Sequence, residues 1–228
     1  MIDKRKEIQK IRVTREKEHF FFGYFDISPE SPDGSKILVN KTSFIDHMPE
    51  KNEELEVGYI LNDTLEYIPI GTTTAWNFQE GCRLQWLDEN RCIYNTRGVK
   101  GFQSVIYDID RKQVVKTFKV PVYSISILTG KALFYSFTNN KYYYAHTEED
   151  LKKDPYKDGI YLLDLYTSEY YRIISIKDLE NIAEISGINS WVEYCVFNEK
   201  GTLFYFYYRW IDESNGAHTL FCISDLAG

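Results

Sequence analysis

Methionine, histidine and cysteine are scarce in this 228-residue sequence, with two, four and four residues respectively. The cysteines, Cys82, Cys92, Cys195 and Cys222, form no C-x-x-C pair and have no histidine at metal-ligand spacing. That pattern excludes a zinc ribbon and a disulfide framework. Cys92, Cys195 and Cys222 lie in apolar strand-like runs and are expected to be buried free thiols. No apolar run approaches the roughly 20 residues of a membrane helix. Residues 1–18 lack the apolar centre of a signal peptide, so the chain reads as cytoplasmic. Positive charge is also short, with 27 Lys and Arg against 34 Asp and Glu, a net of −7. Nucleic acid and anionic membranes, which need a clustered positive field, are excluded as partners. The basic residues between Lys4 and Lys17 are interleaved with Glu7 and Glu16, as in a solvated or strand-flanking segment. A nucleophile elbow, a phosphate-binding glycine loop and an H-E-x-x-H helix are all missing.

Aromatics are abundant, at 16% of the chain with 19 Tyr and 14 Phe, and they crowd the apolar runs together with β-branched residues. Strands should therefore dominate. Four segments share one plan, a polar turn followed by an apolar strand: residues 31–40, 87–95, 128–136 and 197–206. Each is followed by a strand, an acidic turn and another strand, at residues 57–71, 104–120, 159–174 and 219–228, with Asp63, Asp110 and Asp164 in the first three turns. Two hairpins in series make a four-stranded antiparallel blade, and blades recurring at intervals of a few tens of residues predict an all-β propeller. A β-sandwich is the ordinary alternative.

The expected organisation is a single domain or fragment over residues 1–228, with blades at 20–72, 73–120, 121–175 and 188–228. Insertions fall at residues 46–56, at 141–158 with the tyrosine run Tyr142, Tyr143 and Tyr144 and a helix-like stretch, and at 176–190. The last repeat stops before its fourth strand. Either the chain is part of a larger ring, or the strand-like segment at residues 8–15 completes the last sheet and closes a ring of four.

Several motifs carry a resemblance: Phe22-Gly23-Tyr24-Phe25-Asp26, the run from Trp76 to Trp86, Ile93-Tyr94-Asn95, Val120-Pro121-Val122-Tyr123, and Phe204 to Trp210. Together they resemble TolB-like β-propellers of six or seven blades, in a group encoded in bacterial polysaccharide loci and near the oligogalacturonate lyase propellers. The resemblance runs from about Phe20 to Gly228, with residues 76–86 its most specific piece, and implies that two or three blades are missing here. The lyase relatives hold a divalent metal with histidines and a glutamine. This sequence has only His19, His47, His146 and His218, and reads Asn189-Ser190-Trp191-Val192-Glu193-Tyr194 where a histidine-containing run would fall. Neither metal nor cofactor is therefore expected.

Trp76, Asn77, Gln79, Glu80 and Arg83 form the densest mixture of aromatic and polar residues. An indole against the apolar face of a pyranose, with amides, carboxylates and guanidinium groups sharing its hydroxyls, is how a protein holds a sugar. The same residues also suit a structural role, with Trp76 and Trp86 packing between blades and Glu80 paired to Arg83. Tyr24 and Asp26, in the innermost-strand position of the first blade, and Arg97, Tyr123, Arg209 and Trp210 near equivalent strand ends, could line a channel. A buried ion pair from Asp26 to an arginine is the structural counterpart. Asp26 and Glu80 could form the carboxylate pair that catalysis would need, at a separation the sequence does not give. The expected function is a non-catalytic propeller that binds an oligosaccharide or polysaccharide, or scaffolds proteins that handle one. A lyase or glycosidase, and a protein-interaction platform using the rim and residues 141–158, are the alternatives.

Overall fold

The computed structural model describes residues 10–14, 18–99, 101–135, 157–185 and 189–228. Its strands run in chain order and pair only with their sequence neighbours in antiparallel meanders. The first sheet holds β1 (His19–Phe21), β2 (Lys36–Thr42), β3 (Leu55–Leu61) and β4 (Tyr67–Thr73). The second holds β5 (Gln85–Trp86), β6 (Arg91–Gly98), β7 (Gly101–Asp108) and β8 (Gln113–Phe118). The third holds β9 (Ser124–Ser126), β10 (Lys131–Tyr135), β11 (Gly159–Asp164) and β12 (Tyr170–Ser175), and the fourth β13 (Asn189–Phe197), β14 (Leu203–Ile211) and β15 (Ala217–Asp225). The fold is an all-β propeller of four blades; among the described residues three are four-stranded and the last three-stranded.

Turn chemistry sets the meander. Between the first and second strands of blades 1, 3 and 4 the turn passes through Gly34, Gly130 and Gly201 at φ near +65°, a region that favours glycine. Between the third and fourth strands the left-handed position goes to Leu65, Lys112 and Ser168 instead. There a strand-end carboxylate ties the turn: Asp108 accepts from the Arg111 N–H, and Asp164 from those of Tyr166 and Thr167. In blade 2 this role belongs to Asp108 rather than to Asp110. Lys131 clamps Asp164 from the neighbouring strand.

Three cores lie between successive blades. Leu38, Leu55 and Val57 of blade 1 meet Leu84, Trp86 and Tyr94 of blade 2. Ile106 and Phe118 of blade 2 meet Phe134 and Leu163 of blade 3. Leu133, Tyr135 and Leu162 of blade 3 meet Phe204, Phe206 and Tyr208 of blade 4. Cys82, Cys92 and Cys195 are buried free thiols, while Cys222 is only half-buried.

Other expectations change in detail. Tyr24 and Asp26 fall in the connection after β1, not on the innermost strand. Of the segment expected to close the ring, only residues 10–14 are described, and these form no strand. The insertion at residues 141–158 lies outside the described residues except for its last two. The insertion after blade 3 opens with a helix not expected there, α1 (Ile176–Ile182), started by a reciprocal cap in which Ser175 and Asp178 satisfy each other's backbone N–H.

Candidate functional site

The connection from β4 to β5 builds the centre of the molecule. Asn77 Oδ1 accepts the backbone N–H groups of Gln79 and Glu80, both at 2.7 Å, while Asn77 and Gly81 bond reciprocally through their backbones. Gly81 sits at φ +59°, and a Cβ there would fall 2.4 Å from the Asn40 side chain, so the tight loop needs glycine. Asn77 is thus a loop staple.

The loop delivers Arg83 to a site with no solvent exposure. Its guanidinium donates to both oxygens of Asp26 at 3.1 and 2.6 Å, its Nε–H donates to the Tyr123 carbonyl at 2.8 Å, and its plane lies 3.8 Å from the Tyr123 ring centroid. The Tyr123 hydroxyl in turn donates to Glu80 Oε1 at 2.7 Å. Blades 1, 2 and 3 are therefore tied by one buried network. Breaking such a pair from one side leaves an uncompensated buried charge and costs about 3–5 kcal/mol. Burial pushes the Glu80 carboxyl up to about 7 despite the downward pull of Arg83, and burial likewise raises the Tyr123 phenol. The partner of Arg83 is Asp26, and that of Glu80 is Tyr123. Asp26 and Glu80 thus both act in holding blades together.

Three of the expected residues stand apart. Trp76 is fully buried among Phe21, Phe44 and Phe78, with its indole N–H on the Glu53 carbonyl at 2.8 Å, so it presents no face to a sugar. An indole this large, with Phe78 two positions on, gains more from aromatic packing than from exposure. Arg97 lies 4.2 Å over the Phe102 ring of its own hairpin. Trp210 stacks on His218 at 5.0 Å, and strand alternation separates it from Arg209.

Tyr24, Gln79 and Arg209 do converge, on a residue that sequence reading passed over. Tyr194 sits at φ +58° where the β13–β14 register shifts, a bulge that re-aims its side chain. Its ring stacks on Tyr24 at 5.6 Å, its hydroxyl accepts from Gln79 Nε2 at 3.2 Å, and the Arg209 guanidinium lies 5.8 Å from its centroid. Glu193 anchors Arg209 at 3.2 Å and accepts from the Trp191 indole. Nothing in the spacing of Trp191 to Tyr194 announces the bulge.

A cavity of about 540 Å³ opens among the innermost strands of blades 2, 3 and 4 beside Asp26. Its polar lining comes from Asp26, Gln85, Ser124, Ser126, Asn198 and Glu199. The cavity presents two carboxylates, two amides and two hydroxyls and no guanidinium, Arg83 being buried behind Asp26. Among the described residues no three His, Cys, Asp or Glu side chains gather as metal ligands, and no helix is long and apolar enough to cross a membrane.

No family model and no curated protein matches the sequence. Among solved structures, the fold is similar to that of TolB from Acinetobacter baumannii, at a TM-score of 0.53 and 11% identity over 94% of this chain and 43% of that one. The β-propeller domain of the trilobed protease from Pyrococcus furiosus, described as having an open velcro topology, aligns at a TM-score of 0.38 and 13% identity, over 86% of this chain and 66% of that one. An acylaminoacyl peptidase from Pyrococcus horikoshii aligns at 0.37 and 11%, over 92% and 39%. The class is that of the β-propellers. Within it, the fold is TolB-like, and the chain spans less than half the length of the TolB it matches.

Proposed function

We propose that the chain is a non-catalytic binding propeller whose axial cavity takes a hydroxylated, uncharged ligand, an oligosaccharide or a stretch of polysaccharide, in the cytoplasm of a bacterium. The observation that carries this reading is the convergence of three innermost strands and Asp26 on a cavity of about 540 Å³, whose polar groups are set among the apolar side chains of Ile125, Leu128 and Phe197. Concave sites with a few placed polar groups are where small ligands bind. Absence of catalysis is supported by the commitment of Asp26 to Arg83 and of Glu80 to Tyr123. The association with polysaccharide metabolism rests on the resemblance carried by residues 76–86. With Arg83 buried, no guanidinium lines the cavity, which favours neutral over acidic sugars.

Calorimetric titration with neutral and uronic-acid oligosaccharides of matched length tests the reading. Neutral sugars should bind, Ser126→Leu should weaken them by about tenfold through lost space and one lost hydroxyl, and uronic acids should bind less well. Silence across both sets, or tighter binding of the uronic acids, would defeat it.

A further inference from the structure

The turns of the first three blades leave a groove outside the buried network that shares only Ile127 with the axial cavity. Two overlapping hollows, of about 710 and 760 Å³, share Leu87, Asp88, Arg91, Asp108, Arg111 and Ile127. One reaches Tyr166 in blade 3 and the other Pro32 in blade 1, so the groove is elongated across three blades. Apolar surface lies open along it, with Ile127 58% and Tyr166 78% exposed. Side chains of that kind are seldom left in water without a partner when they line one continuous depression.

Its cations are already engaged. Arg91 is held by Asp88 at 2.6 Å, Arg111 lies 3.7 Å from Asp108, and the Lys116 ammonium donates to the Leu165 and Tyr166 carbonyls at 2.7 and 2.8 Å. The carboxylates of Glu89 and Asp110, both exposed on the same rim, carry no ion pair or hydrogen bond among the described residues. The Lys116 contacts are with neutral carbonyls, but with four carboxylates against three cations in its lining the groove is net negative.

We infer that this groove docks an extended peptide segment of a protein partner, one that alternates apolar and basic side chains. The apolar ones lie against Ile127 and Tyr166, and the lysines or arginines against Glu89 and Asp110. An acidic rim repels nucleic acid and acidic sugars, and an open trough along three turns suits a chain better than a compact ligand.

The test is fluorescence anisotropy of the full chain with two labelled peptides, one alternating leucine with lysine and one alternating leucine with glutamate. The lysine peptide should bind, and more weakly as salt is added. Joint replacement Glu89→Lys and Asp110→Lys should weaken it by about tenfold and let the glutamate peptide bind in its place. Tyr166→Ser, which leaves the axial cavity untouched, should weaken the lysine peptide by about fivefold without changing its salt dependence. All three positions are exposed, and a Tm matching the parent shows that each variant folds. Failure of the lysine peptide to bind, equal binding of both peptides, or indifference to the charge reversal would overturn the inference. So would a concentration-dependent doubling of the mass of the unliganded protein that the same substitutions abolish, since the groove would then bind a second copy.

Discussion

The two faces of blade 4 are built from the same alternation of aromatic residues and meet opposite fates. Phe204, Phe206 and Tyr208 point into the core shared with blade 3 and are essentially inaccessible. Tyr205 and Tyr207 point the other way, each 5.6 Å from Phe221, and that face ends in open positions, with Phe221 57% and Ile223 66% exposed. A strand apolar on both sides is expected inside a stack of sheets. What decides whether an aromatic contributes to stability is the presence of a neighbouring sheet, which the residue's own chemistry does not disclose. Among the described residues β15 lies at the edge of its sheet beside this open face. An edge of nine residues next to uncovered apolar surface favours association with other strands.

Substitutions on covered and uncovered surfaces turn that contrast into numbers. The largest effect should come from the most covered charge: Asp26→Ala, which strands Arg83, is expected to cost about 3–5 kcal/mol in urea unfolding. The double variant Asp26→Ala with Arg83→Met should regain much of that loss, and a single-variant cost below about 1 kcal/mol would show that the network is not holding blades 1 to 3. Phe206→Ala, on the covered face of blade 4, should cost about 3–5 kcal/mol by cavity formation.

The pH dependence is smaller and has a definite sign. Burial raises the Glu80 carboxyl from its ordinary 4.5 to about 7, so the folded protein holds that proton more tightly than the unfolded chain does. Its stabilising contribution is complete below about pH 4.5 and is lost as pH rises through about 7. The stability of the parent relative to Glu80→Gln should therefore decline across that window, and a flat difference would show that Glu80 stays ionised when buried. The smallest effect belongs to the open face, where Phe221→Ala should change stability by no more than about 0.5 kcal/mol. A loss comparable to that of Phe206→Ala would mean that the face is covered in solution.

Much of the blade plan was readable because turns and alternation are local. Gly34, Gly130 and Gly201 announce their turns, and the strands on either side follow with period two. Arg83 and Glu80 could also be singled out as part of a dense aromatic and polar group, and Asp26 and Tyr123 by their places near strand ends, with a buried Asp26 needing a cationic partner. Their pairing could not be read, because it depends on how three blades meet around one axis. Trp76 misleads for the same reason: an indole beside amides and carboxylates looks alike on a sugar platform and in a core, and only the positions of Phe21 and Phe44, far away in sequence, separate the two. Tyr194 escaped notice because a bulge changes the direction of one side chain without changing composition.

The buried network also bears on the order of assembly. Asp26 and Arg83 are separated by 57 positions, and Arg83 and Tyr123 by 40. Contacts that span such distances close large loops and form late in folding. The guanidinium can be satisfied only after blades 1, 2 and 3 have each formed and come together, so it acts as a coincidence detector: a nascent chain with any one of the three blades misplaced retains an unmatched charge in its interior and stays open to refolding.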